Sequence, residues 1–127
     1  MEQARGHLEQ GLAAFKAQDY DTAIPELEAA TREDPGNYRA FVYLGVSYAG
    51  KGKYNAAIGA LKMAEQLKPG VPNIHYNIGQ AYEAAGVPSE AEYEYERALD
   101  IDPNYSKARD ALDALRRRRH HEPSSSD

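Results

Sequence analysis

The sequence predicts an all-α fold built from three helical hairpins that repeat every 34 residues. Within each unit, apolar and small residues recur twice in succession at the spacing of a helix face, and Gly, Asp or Pro interrupts the two runs. Because several independent positions keep one period, the units are predicted to be copies of one supersecondary element. The positions that keep the period are Gly11, Gly45 and Gly79; Ala23, Ala57 and Ala91; Ala30, Ala64 and Ala98; and Pro35, Pro69 and Pro103.

The second unit shows how each element is recognised. A first helical run precedes the segment GKGKY, a second run follows it, and Lys68-Pro69 ends the unit. The segment GKGKY is therefore predicted to be a corner, with glycines available for a left-handed helix end. The small landmark residues allow close helix approach, while larger side chains fill the space between the helices. The first run is read from Phe41, Leu44, Gly45 and Tyr48, and the second from Ala57, Leu61 and Ala64.

The same corner nearly matches a phosphate-binding loop, since Gly45 is followed after four residues by Gly50-Lys51. Such a loop needs Ser or Thr after the lysine to hold magnesium, and a buried strand before it. Here Gly52 follows Lys51, and the preceding residues do not read as a strand. An enzyme that uses this turn is the weakest of the function classes considered.

Composition places the chain among soluble globular proteins, with a formal charge of -5 and no cysteine. Without cysteine, disulfides and thiolate metal sites are excluded. No window is long and apolar enough to span a membrane, and the start lacks the apolar run of a secretory signal, so we expect a cytoplasmic protein. The acidic body argues against a nucleic-acid partner.

The period and the pattern Phe-x-x-Leu-Gly-x-x-Tyr, followed by Ala57, Leu61, Ala64 and Pro69, resemble the tetratricopeptide repeat family. The resemblance implies a right-handed superhelix in which first helices line a concave groove and second helices form the convex back. It also implies a domain over residues 1–120, with repeats at about 4–37, 38–71 and 72–105 and a solvating helix at 105–120. The Pro- and Ser-rich residues 121–127 are expected to be disordered.

A second apolar stripe remains after the packing positions are assigned, and in this family's superhelix it would line the groove. At its N-terminal end it is apolar and edged by arginine, which suits an extended or helical peptide of a protein partner. At its other end, Asn73, Asn77 and Gln80 could hydrogen-bond a bound backbone. The predicted groove residues are Arg5, Leu8, Leu12, Phe15, Arg39, Val42, Tyr43, Val46, Asn73, Tyr76, Asn77 and Gln80.

Family members that capture the acidic C-termini of heat-shock chaperones use a clamp of Lys, Asn and Arg. The matching positions here hold Leu8, Leu12, Tyr43, Asn73 and Asn77, so that partner class is not expected. The sequence therefore predicts a non-catalytic adaptor and scaffold that binds a protein segment in its groove. The alternative is self-assembly into a homo-oligomer, in which the groove takes a segment of another copy.

Other chemistry finds little support in the sequence. His7 and His75 occupy equivalent positions at a helix contact, where packing or capping is the simpler role, so we expect no metal and no cofactor. Glu90, Glu94 and their neighbours are interpreted as a solvated helix face. The tetrad Arg116 to Arg119 has two interpretations, favourable interaction with the helix dipole or an anchor for acidic partners.

Overall fold

The computed structural model describes residues 2–121, with side chains for residues 6–120, and within that range it contains helices and no strands. The described helices fall into two compact units, Met1–Gly70 with four helices and Val71–Asp127 with three. The single domain predicted over residues 1–120 stays a prediction. The predicted disordered tail lies outside the described residues, apart from His121 at the end of the last helix. The helices are α1 (Glu2–Lys16), α2 (Tyr20–Glu33), α3 (Tyr38–Gly50), α4 (Tyr54–Leu67), α5 (Pro72–Ala84), α6 (Pro88–Ile101) and α7 (Ser106–His121).

Local sequence explains where these helices begin. The Asp19 carboxylate accepts a hydrogen bond from the Thr22 backbone amide at 3.3 Å and caps α2. Asn37 caps α3 by accepting from the amide of Arg39 at 3.1 Å. In α5 and α6 a proline occupies the first turn, where its missing N–H is not needed for the helix ladder. Each hairpin therefore starts at a residue type suited to that position.

The segment GKGKY forms the predicted corner between α3 and α4. Gly52 has a φ of 77°, in the left-handed region that glycine enters without strain. The Lys53 amide donates to the Tyr48 carbonyl at 2.9 Å and closes the helix end. The equivalent position of the first repeat, 34 residues earlier, is Gln18, which has a φ of 60°. The near match to a phosphate loop is thus an interhelical turn.

The glycines of the 34-residue period lie where paired helices approach most closely. A Cβ added at Gly45 would be 2.6 Å from Leu61 Cγ, and one added at Gly11 would be 2.8 Å from Leu27 Cγ. In the second unit, a Cβ at Gly79 would be 2.5 Å from Cε1 of the Tyr95 ring. These distances are too short for any side chain, so the predicted close helix contacts are confirmed.

The first unit contains a further close approach, between consecutive repeats. Gly50, at the end of α3, lies against the ring of Tyr20, at the start of α2, and an added Cβ would overlap that ring. The sequence gave no expectation for this pair. It fixes the start of one repeat's second helix against the end of the next repeat's first helix.

Each unit has its own apolar core. In the first unit, Ala14, Ala23, Leu27 and Leu44 form a buried cluster. In the second unit, α7 lays its predicted apolar stripe on α6. That cluster consists of Ala91, Tyr95, Ala98, Leu99, Ala108, Leu112 and Leu115. Burial of such side chains contributes roughly 1.5–3 kcal/mol each for the larger ones, which is the main force holding α7 in place.

Candidate functional site

The predicted groove residues of the first unit divide into two groups. Leu8, Phe15 and Tyr43 pack against the buried cluster of Ala14, Leu27 and their neighbours, and the Phe15 and Tyr43 rings meet edge to face with centroids 5.1 Å apart. They contribute to the core as well as to the surface.

Leu12, Val42 and Val46 form the second group. They lie on α1 and α3, are half-buried, and do not belong to the buried cluster of this unit. Arg39, predicted to edge the same surface, is exposed, and its guanidinium lies 5.8 Å from the centroid of its neighbour Tyr38. The side chain of Arg5 is outside the described range. The apolar stripe is therefore partly accessible, although less than fully exposed.

The predicted residues of the second unit lie together on α5 and bind one another. Asn77 Nδ2 donates to the carbonyl oxygen and to Oδ1 of Asn73, both at 3.0 Å. Asn73 Nδ2 in turn donates to the Tyr105 hydroxyl at 2.9 Å. The ring of Tyr76 lies 6.0 Å from the rings of both Tyr95 and Tyr105. Both side-chain amides therefore already have internal partners, and a bound backbone would have to share them.

Gln80 belongs to a network that the sequence did not predict. Its Nε2 donates to the hydroxyl of Tyr95 at 2.6 Å, and that hydroxyl donates to Glu83 Oε1 at 2.7 Å. The Tyr95 residue is fully buried under Gly79. Burial, and then the hydrogen bond to Glu83, raises the pKa of Tyr95, which keeps the phenol neutral. A tyrosine at a core position implies a polar partner for its hydroxyl, and that was the available signal.

The interpretation of Glu94 as part of a solvated face is wrong. Glu94 is buried in the second unit, and its Oε1 lies 2.9 Å from Nδ1 of the buried His75. A carboxylate at that depth needs such a partner, because an unpaired buried charge is costly. Glu90 is exposed, as predicted. In the first unit, His7 and Glu26 make the same contact at 2.7 Å, which raises the pKa of His7.

The arginine tetrad is engaged within the second unit. Arg116 pairs with Glu92 at 3.0 Å and with Glu96 at 2.6 Å. Arg119 pairs with Glu92 at 2.6 Å, and Arg118 pairs with Glu83. Neither interpretation from the sequence included these intramolecular ion pairs, which join α7 to α5 and α6.

The described residues offer no other obvious chemistry. They contain no group of three or more His, Asp or Glu side chains placed to hold a metal ion. No helix within the same range is long and apolar enough to cross a membrane.

Comparison with known proteins decides the family. Two family models described as Tetratricopeptide repeat match the chain, one over residues 8–72 and the other over residues 48–115. The chain belongs to the tetratricopeptide repeat family. The helix pairs, the close-contact glycines and the capping helix α7 are thus those of a tetratricopeptide repeat array.

Individual relatives are much longer than this tetratricopeptide repeat chain. Superkiller complex protein 3 of Mus musculus is 28% identical over 101 residues, which cover 80% of this chain and 6% of that protein. The chloroplastic tetratricopeptide repeat domain-containing protein PYG7 of Arabidopsis thaliana is 34% identical over 114 residues, covering 87% of this chain and 38% of that protein. The chain therefore spans a minor part of each.

A solved structure matches almost end to end. The first tetratricopeptide repeat domain of Spaghetti (RPAP3), bound to the HSP90 peptide SRMEEVD, superposes with a TM-score of 0.85 at 25% identity. The match covers 94% of each chain.

Proposed function

We propose that this chain is a non-catalytic adaptor that binds a peptide or helix of a partner protein on the faces of its first helices. The observation that carries the proposal is the stripe of Leu12, Val42 and Val46, which stays half-accessible after α1 to α4 have packed. An apolar surface of this kind is typical of a protein-binding site. A cytoplasmic setting is part of the same proposal.

The structural relative supports the general role but not its ligand. Its tetratricopeptide repeat domain is described with a bound HSP90 peptide, so this fold can hold an extended segment. The peptide ends in acidic residues, whereas the first unit here offers Leu8, Leu12 and Tyr43 at the positions of the family's clamp. We therefore expect apolar side chains of the partner to dock in the first unit.

The proposal is tested by placing a charge on the stripe. A partner is first captured with the intact chain and identified, and its affinity is then measured by calorimetry. Leu12→Glu and Val46→Glu should each weaken binding by at least about tenfold, because a desolvated charge would face an apolar anchor. Ala13→Glu is the matched control, since Ala13 is exposed on the same helix and its change should leave affinity unchanged.

Folding must be verified before these affinities are interpreted. Leu12 and Val46 are half-buried, so each variant is first checked for helix content and melting temperature. A folded Leu12→Glu, Val46→Glu double variant that keeps full affinity would refute the stripe as the binding surface.

Self-assembly is the second candidate function, because the same apolar stripe could take a segment of another copy. Sedimentation of the pure chain at several concentrations separates the two. A chain that stays monomeric excludes the scaffold and leaves the adaptor. A dimer that Leu12→Glu dissociates, while Ala13→Glu does not, supports self-assembly through the stripe.

A further inference from the structure

A surface cavity of about 380 Å³ lies in the second unit between α5 and the end of α7. Gln80, Glu83, Ala84 and Arg118 line it. Gln80 and Glu83 are three residues apart on α5, so their side chains share one face of that helix. Gln80 is also a predicted groove residue, which places the cavity beside the α5 part of the proposed binding surface.

The carboxylate in this cavity is held in place from below. Glu83 Oε1 accepts the hydroxyl of Tyr95 at 2.7 Å, and the ring of Tyr95 is fixed in the core under Gly79. The Glu83 side chain is 25% exposed, so part of it remains open to the cavity. A carboxylate fixed in this way loses little conformational entropy when it binds a cation.

The cavity already holds a guanidinium group. Arg118 of α7 pairs with Glu83 Oε2, and the Arg118 side chain is 57% exposed. Glu83 is its one ion-pair partner among the described residues, whereas Arg116 is held by two carboxylates. Exposed pairs of this kind contribute about 0–1 kcal/mol, so Arg118 can leave at little cost.

The surrounding charge favours another cation in the same place. Together, α5 and α6 carry six carboxylates and one arginine, while α7 carries six Lys and Arg residues against two Asp. The body of this unit is therefore acidic, and α7 supplies its neutralising charge. A cationic side chain arriving from outside is attracted to the face that α7 covers only in part.

We propose that the cavity is a binding site for an arginine side chain of the partner, and that Arg118 is its internal placeholder. The incoming guanidinium takes the place of Arg118 on Glu83 Oε2. Its planar fork also reaches Gln80 Oε1, which has no hydrogen bond among the described contacts because Gln80 bonds Tyr95 through Nε2. This inference rests on the proposed function, since it names one chemical feature of the partner segment.

The test uses N-acetyl-L-arginine amide as the probe and the full chain as the receptor. Backbone amide NMR shifts of Gln80, Glu83 and Ala84 are followed during titration. Arg118→Ala should show saturable shifts at these residues, with an affinity about fivefold higher than the wild type, which corresponds to about 1 kcal/mol for the lost internal pair. Adding Glu83→Gln to Arg118→Ala should remove the binding.

Two controls isolate the cavity. Arg117→Ala removes a neighbouring exposed arginine that has no ion pair among the described residues, and it should behave as the wild type. N-acetyl-citrulline amide, an uncharged analogue of the probe, should give no saturable shift in any variant. All variants are checked for unchanged melting temperature, because Glu83 also bonds Tyr95.

Three results would overturn the inference. The first is Arg118→Ala with no saturable shift at the cavity residues, and the second is equal binding when Glu83→Gln is added. The third is saturable binding of N-acetyl-L-glutamate amide to the wild type, which would make Arg118 a receptor for carboxylates. The probe reads the second unit alone, so its failure is distinguishable from a failure of the Leu12 and Val46 stripe.

Discussion

The second and third repeats fill equivalent positions with different chemistry. In the second repeat the space between the paired helices is filled by aromatic and aliphatic groups. In the third repeat a buried imidazole, a buried carboxylate and a buried phenol take those places, and each has a hydrogen-bond partner. The equivalent pairs, each 34 residues apart, are Phe41 and His75, Ala60 and Glu94, and Leu61 and Tyr95.

The difference teaches that polar substitutions in this core come as bonded sets. Tyr95 replaces Leu61, and its hydroxyl bonds Gln80 and Glu83, which stand where the second repeat has Val46 and Ala49. The apolar surface stripe of the second repeat thus ends in the third because a buried tyrosine needs partners. Surface character is therefore set by a residue beneath it.

The largest effect is expected where the two repeats agree. Gly45→Leu and Gly79→Leu should each lower the free energy of unfolding by about 3 kcal/mol or more, because any side chain there meets Leu61 or the Tyr95 ring. Urea unfolding measures both losses. Gly59→Ala is the control, since nothing lies within 4 Å of an added Cβ there, and it should raise stability by about 0.5–1 kcal/mol. Equal stability of wild type and Gly45→Leu would contradict the close packing described.

An intermediate effect is expected where the repeats differ. Glu94→Ala should cost about 3 kcal/mol, because it leaves His75 buried without its partner. Adding His75→Phe should recover most of that loss, since Phe41 and Ala60 occupy the equivalent positions of the second repeat. Thermal unfolding of the two single variants and the double variant forms a complete cycle. Additive losses in that cycle would show that the pair is not a coupled set.

The smallest effect concerns the hydroxyl of Tyr95. Tyr95→Phe keeps the ring under Gly79 and removes the bonds to Gln80 and Glu83, so stability should fall by about 1 kcal/mol. Leu61→Met, a change of similar size without a hydrogen bond, is the control in the second repeat, with a cost below about 1.5 kcal/mol. Amide shifts of Gln80 and Glu83 should change with Tyr95→Phe, and unchanged shifts would mean that the network does not form.

The helices, their corners and the close-contact glycines were predictable from the sequence, because each depends on local pattern and on one period. Gly52 shows this, since a corner with a left-handed residue follows from its place between two helical runs. The stripe of Leu12 and Val46 was also identified from spacing alone. Its half-burial was not, because exposure depends on how neighbouring helices pack.

What the sequence did not provide are contacts between residues far apart along the chain. Glu94 read as surface because its neighbours Glu92 and Glu96 are polar, yet one helix turn of rotation points it at His75. Arg118 and Glu83 are separated by 35 residues, and only the docking of α7 brings them together. A run of four arginines has many possible partners, and charge pattern cannot select among them.

The contact between Tyr20 and Gly50 makes the order of the repeats part of the sequence. A deletion of residues 38–71 would keep the 34-residue period and join α2 directly to the third repeat. Ala84 would then stand where Gly50 is now, and its methyl group would occupy the space of the Tyr20 ring. The repeats are therefore not interchangeable modules, and shortening the array would require a compensating change at Tyr20 or Ala84.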